Sequence, residues 1–313
     1  MKPKSKSGRR QKGVQLVEVG LRDGLQNEDQ NISVELKMEM AKRLVDCGVS
    51  RLELGAFVRA DKIPQMAESK ILVQQFLANK FKVTGSVLVP NERGMVEAIE
   101  SGVKEVAVFV SSTESFSKKN INCTIKESFD RLKPVMALAK KHKIKVRGYL
   151  SVCFGCPYEG AVSSKQVVEL AKTLVKIGCF EVSISDTIGV ASPAQVKSLI
   201  SLLRKQVPVK KLALHLHDTR GTALANIYQG YLQGIRVFDS SVGGLGGCPY
   251  APGAAGNVAT EDVVNMFQSM GVSTGLDLVK LIETSRWLNL KLQRKVVSKM
   301  SLAGVFIAKG AVN

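Results

Sequence analysis

Short β-branched runs alternate with longer amphipathic segments along the whole chain, and this alternation limits the possible fold more than any other feature. Eight runs read as strands: residues 14–20, 50–54, 82–88, 104–110, 144–151, 180–185, 212–217 and 236–241. Helical periodicity covers 33–47, 64–78, 91–101, 124–141, 163–177, 192–206, 219–234 and 260–270. Gly48, Gly102, Gly178 and Gly234 fall where a left-handed helix cap is needed just before the next strand. An eightfold β/α alternation over roughly 250 residues is the size and pattern of an α/β fold of the (β/α)8 TIM-barrel type. A doubly wound sheet is the structural alternative. It has fewer strands and a Gly-rich nucleotide turn after the first one, whereas LRDGLQNE follows here. The expected organisation is a basic, solvated tail over 1–13, a barrel over 14–274 and a C-terminal segment over 275–313. That segment has a helix at 275–293 and packs on the barrel or on a partner.

The chain of 313 residues carries 45 Lys+Arg against 27 Asp+Glu, a net charge of +18. Such a field favours polyanions, among them phosphorylated cofactors, nucleic acid and anionic membranes. Aromatic residues make up only 5%, and no basic stretch is interleaved with stacking rings, which argues against nucleic acid. No apolar run approaches the roughly 20 residues of a membrane span. Cys47, Cys123, Cys153, Cys156, Cys179 and Cys248 are scattered, as suits reduced thiols. The C-x-x-C pair Cys153/Cys156 lacks the second pair that a zinc site needs. The opening MKPKSKSGRRQKG has six basic residues but no apolar face like that of a transit peptide. A cytoplasmic location is therefore expected.

In a TIM barrel the active site lies at the C-terminal ends of the strands, and the ionisable residues concentrate there. Strand one ends in Arg22-Asp23, strand two carries Glu53, strand six ends in Asp186 and strand seven in His215-Leu-His217-Asp218. Strand eight runs into GGLGGCPYAPGAAGN, which holds Cys248 and Asn257. His215 and His217 are two apart, so both imidazoles project from one strand face. Beside Asp23 and Asn257 they read as metal ligands. Two nitrogens with carboxylate and amide oxygens suit Mg²⁺ or Mn²⁺, with Zn²⁺ also open. Arg22 beside Asp23 is either a salt bridge or an oxyanion stabiliser, and Glu53 either a buried ion-pair partner or a functional carboxylate.

Seven stretches carry a family resemblance: VEVGLRDGLQNE, LELGAFV, KKNIN, VRGYLSVCFGCPYEG, SDTIGVASP, HLHDTRGTALAN and GGLGGCPYAPGAAGNVATEDVV. They span nearly the whole barrel, and the last is the most specific. The chain resembles the 3-hydroxy-3-methylglutaryl-CoA lyases, within the metal-dependent TIM-barrel lyases and Claisen-type synthases. The resemblance implies retro-Claisen cleavage of an acyl-CoA in leucine degradation and ketone-body formation. It implies one divalent ion on Asp23, His215, His217 and Asn257, and a homodimer. It also implies roles for Arg22 in stabilising an enolate, Glu53 in an acid/base network, Asp186 in positioning substrate, and the loop thiol of Cys248 as the acid that protonates carbon. Leu21 and Arg220 stand where many relatives have Pro and Tyr, and Arg220 places a charge near the mouth. The rival readings are an aldolase or lyase of the same superfamily acting on a related substrate, and a non-catalytic polyanion-binding barrel.

Overall fold

The computed structural model describes residues 13–28, 30–247 and 256–306. The predicted alternation is realised as a closed barrel of eight parallel strands in sequence order, with β1 paired to β8. The first half comprises β1 Gln15–Glu18, α1 Val34–Asp46, β2 Arg51–Ala56, α2 Ser69–Ala78, β3 Thr84–Leu88, α3 Glu92–Ser101 and β4 Glu105–Ser111. There follow α4 Glu114–Ile121, α5 Ile125–Lys141, β5 Lys145–Ser151, α6 Ser164–Ile177, β6 Glu181–Asp186 and α7 Pro193–Leu203. The second half closes with β7 Leu212–Leu216, α8 Ala223–Leu232, β8 Val237–Ser240, α9 Thr260–Ser269, α10 Leu278–Lys291 and α11 Lys299–Ala303.

Strands covered on both faces read as almost continuous apolar runs, and β2 and β6 are buried at every position. Gly48, Gly102, Gly178 and Gly234 have φ of 93°, 87°, 118° and 94°, the left-handed caps expected of them. Capping boxes start α5, where Thr124 pairs with Glu127, and α7, where Ser192 pairs with Gln195 ahead of Pro193. Two segments differ from the sequence pattern. The helical stretch at 64–78 splits into a 3-10 turn, Pro64–Met66, and α2. The helix α4 was not anticipated, because ESFSKKNI is polar and buries only Phe116 and Ser117 over the barrel mouth.

After the barrel, α10 lies across α1. The Asp277 N–H donates to the Cys47 carbonyl at 2.9 Å, and the Arg43 guanidinium stacks 4.4 Å from the Trp287 ring centroid. Inside the lower barrel a chain of ion pairs runs from strand to strand. Arg51 bonds Glu105 and Glu181, each at 3.0 Å, Arg147 bonds Glu181 at 2.7 Å, and Arg147 also grips Asp239 with two N–H groups at 2.7 and 3.0 Å. All five residues are buried. Taking one partner from such a buried pair costs about 3–5 kcal/mol.

Candidate active site and metal centre

Of the ionisable residues at the C-terminal ends of the strands, Arg22, Asp23, His215 and His217 line one cleft of about 1280 Å³. The first strand ends at Glu18 rather than at Arg22-Asp23, and a π-helical turn, Gly20–Gly24, carries that pair beyond it. The cause is local. The Glu18 carboxylate accepts the Gly20 N–H at 2.9 Å, and the N–H groups of Gly24 and Leu25 turn back to Val19 and Gly20. The curl lets two consecutive side chains, Arg22 and Asp23, line the same cleft.

Arg22 is buried and holds two carboxylates: Nε donates to Glu53 Oε2 at 2.7 Å and Nη1 to Asp23 Oδ1 at 2.5 Å. Its guanidinium lies 5.4 Å from the centroid of Tyr149, whose hydroxyl donates to the same Glu53 oxygen at 3.2 Å. Burial opposes the charge on Arg22, but Glu53 and Asp23 outweigh it and keep the guanidinium protonated. Burial pushes the Glu53 carboxyl up against the pull of Arg22. Glu53 Oε1 has no hydrogen-bond partner among the described residues. Both readings of Arg22 are thus compatible with one geometry. It is a salt bridge that uses two of five N–H donors, and the remaining donors, which bond none of the described residues, could meet a substrate oxygen.

Asp23, His215 and His217 offer ligand atoms that all lie within 4.8 Å of one another, a group that could hold a metal ion. Asp23 Oδ2 is 3.8 Å from each histidine Nε2, and the two Nε2 atoms are 3.2 Å apart. Burial works against ionisation of Asp23, but Arg22 and the histidines hold its carboxyl well below the usual range. Asn257 joins the group from the far side of the eighth loop. Its amide nitrogen donates to Asp23 Oδ2 at 2.8 Å and to the Leu245 carbonyl at 3.2 Å, and its backbone pairs with His217 in an isolated bridge. Gly246 permits this approach: φ is +108°, and a Cβ there would meet the Asn257 amide nitrogen at 2.9 Å.

Asp186 is placed differently from the rest. Its buried carboxylate accepts the N–H groups of Val190 and Ala191 at 3.0 and 2.9 Å, so it braces the β6–α7 loop while its neighbours Ser185 and Thr187 line the cleft. Cys248 lies outside the described residues, and Gly247 just before it lines the cleft. Cys153 and Cys156 are free, buried thiols, and burial pushes Cys153 up to about 12. The Arg220 guanidinium donates to the carbonyls of Ile188 and Gly189 at 2.8 and 3.0 Å, so its charge clamps the β6–α7 loop. Arg59, Lys62, Arg93, Lys119 and Arg131 line the outer cleft, with Phe57, Leu88 and Phe109 on its apolar walls.

Sequence reading missed Tyr149, Arg147 and Asp239 as parts of the site's support. Asp239 Oδ2 lies 3.3 Å from His215 Nδ1, and the edge of the Tyr149 ring packs on His215. The available signal was the strand period: a charged residue on the inward phase of a barrel strand needs a partner across the barrel.

The HMGL-like family model matches residues 13–288. The chain belongs to the HMGL-like family. It is 48% identical over 275 residues, 88% of this chain and 91% of the relative, to the 3-hydroxy-3-isohexenylglutaryl-CoA/hydroxy-methylglutaryl-CoA lyase of Pseudomonas aeruginosa. Among solved structures, the hydroxymethylglutaryl-CoA lyase of Pseudomonas aeruginosa superposes with a TM-score of 0.89 at 46% identity, covering 93% of this chain and 97% of that one. An HMG-CoA lyase from Acinetobacter baumannii, solved in complex with coenzyme A and 3-methylmalate, gives 0.88 at 34% identity over 94% and 95%. These HMGL-like relatives share the closed barrel, and this chain is a carbon-carbon lyase of that family.

Proposed function

We propose that the protein is a divalent-metal-dependent lyase that cleaves 3-hydroxy-3-methylglutaryl-CoA to acetyl-CoA and acetoacetate. The observation that carries this reading is the convergence of Asp23, His215 and His217 beside an Arg22–Glu53 pair in one cleft. Two imidazole nitrogens and a carboxylate oxygen facing one another would hold a divalent ion that also takes oxygen ligands, and Mg²⁺ or Mn²⁺ is the proposed species. Asn257, beside Asp23, would supply a fourth ligand through its amide oxygen. A bound divalent cation would lower the pKa of the substrate's tertiary hydroxyl and orient it.

In the reaction the hydroxyl proton passes to the network that includes Glu53, the C3–O bond becomes the ketone carbonyl of acetoacetate as the bond between C2 and C3 breaks, and the electron pair of that bond enters the thioester as an enolate. The free N–H groups of Arg22 meet the thioester oxygen and stabilise the charge that develops there. Glu53 holds Arg22 in place and, through its unpaired Oε1, belongs to the proton-transfer network. A thiol with the ordinary cysteine pKa of about 8.5 is mostly protonated at neutral pH, and the role of returning a proton to C2 falls to Cys248. The cations of the outer cleft suit the phosphates of coenzyme A. Asp186 acts by shaping the loop rather than by touching substrate.

The same reading includes a single catalytic barrel over 14–274 with an appended segment over 275–313, a homodimer and a cytoplasmic location. A lyase acting on a longer 3-alkyl substrate is the second reading, favoured by the apolar walls Phe57, Leu88 and Phe109. The purified protein is to be incubated with hydroxymethylglutaryl-CoA, with and without chelator, and acetoacetate assayed. Chelator-sensitive product is expected, and a protein that makes none at saturating Mg²⁺ or Mn²⁺ overturns the assignment.

A further inference from the structure

The pillar of ion pairs in the lower barrel ends directly beneath the histidines. Asp239 on β8 stands opposite His215 on β7 in the parallel register, so both side chains face the same interior layer. Its Oδ2 accepts the Ser183 hydroxyl and an Arg147 N–H, each at 3.0 Å, and lies 3.3 Å from His215 Nδ1. Its Oδ1 accepts the second Arg147 N–H at 2.7 Å. Arg147 is fixed in turn by Glu181, which Arg51 also holds.

A carboxylate is an acceptor only, so the proton of the His215–Asp239 hydrogen bond has to sit on Nδ1. A neutral imidazole has a single N–H, and placing it on Nδ1 leaves the lone pair on Nε2. Nε2 is the atom that faces Asp23 and His217. The Tyr149 ring, at 5.9 Å and 83° to His215, hinders rotation that would present the other nitrogen. We propose that Asp239 is a positioning residue for the metal centre, fixing the tautomer and orientation of His215 so that Nε2 is ready as a ligand before an ion arrives. This rests on the reading of Asp23, His215 and His217 as ligands and not on the identity of the substrate.

The chain has only three histidines, so the imidazole region of a ¹⁵N–¹H long-range correlation spectrum of the metal-free full-length protein can be assigned residue by residue. Wild type is expected to show His215 with its proton on Nδ1. Asp239→Asn brings an amide N–H that can donate to Nδ1, so the proton moves in part to Nε2. Mn²⁺ affinity measured by calorimetry then falls about 10–100-fold, the range for loss of a ligand's hydrogen-bonding partner. A structural role alone would lower the melting temperature without moving the tautomer.

A wild-type His215 protonated on Nε2 overturns the proposal, and so does an Asn variant that binds Mn²⁺ as wild type does. If the variant fails to fold, the wild-type spectrum still decides the tautomer. Mn²⁺ binding with an Nδ1–H His215, in a protein that does not cleave hydroxymethylglutaryl-CoA, would overturn the proposed reaction and support this inference.

Discussion

Replacing Glu18 by Gln should prevent much of the loss of stability that this protein suffers as pH rises above neutrality. Glu18 is fully buried at the end of β1, and desolvation raises its pKa from 4.5 to about 7. Hydrogen bonds from Thr260, Val242 and Gly20 oppose the shift, and the nearby charge of Glu261 adds to it. The folded state therefore holds this proton more tightly than the unfolded chain does. The corresponding stability is complete below about pH 4.5 and is lost as pH rises through about 7. A rise from 4.5 to about 7 corresponds to roughly 3 kcal/mol in full, most of which falls between pH ~5 and ~8.5.

Gln retains an oxygen for the N–H groups of Gly20 and Val242, and its amide can donate to the Thr260 hydroxyl, which now donates to Glu18 Oε2 at 2.6 Å. The substitution thus removes the titration and keeps the connections. Urea unfolding of the metal-free protein, followed through the single tryptophan Trp287, gives the two free-energy curves against pH. Their separation should grow by about 2–3 kcal/mol across that window, in favour of the variant. Parallel curves would refute the reasoning, because they would mean that the hydrogen bonds keep Glu18 ionised despite its burial.

Gly246→Ala should lower the melting temperature and weaken Mn²⁺ binding in calorimetry, since a Cβ at φ +108° is strained and drives the Asn257 amide away from Asp23. Unchanged Mn²⁺ affinity would remove Asn257 from the site. His217→Ala should abolish metal retention as measured by elemental analysis, whereas Cys248→Ser should retain the metal and lose turnover. A serine variant of normal activity would show that the thiol is not the acid.

Much of the barrel was legible because its elements announce themselves locally. The β-branched run of β4 and the glycine caps at Gly102 and Gly178 need no tertiary context. The π-helical turn was not legible, because it depends on a hydrogen bond between the Glu18 side chain and the backbone of Gly20. His217 sits one residue beyond β7 and is steadied by a bridge to Asn257, forty residues later, which no local pattern encodes. The resemblance offers Asp186 for positioning substrate, and the two backbone N–H groups that its carboxylate also accepts are visible only in three dimensions. Arg51, Arg147 and Glu181 resemble surface charges until the register brings them together inside the barrel.

The interior pillar also restricts how this sequence can diverge. Arg147 serves both Glu181 and Asp239, and Glu181 serves both Arg147 and Arg51. Removing any one residue strands a buried charge, whereas replacing a matched pair by apolar groups of similar volume can be nearly neutral. The effects of substitutions here are therefore strongly non-additive. Viable descendants that differ at these positions are reached by coordinated exchanges, and the path between them through single steps is barred by unstable intermediates.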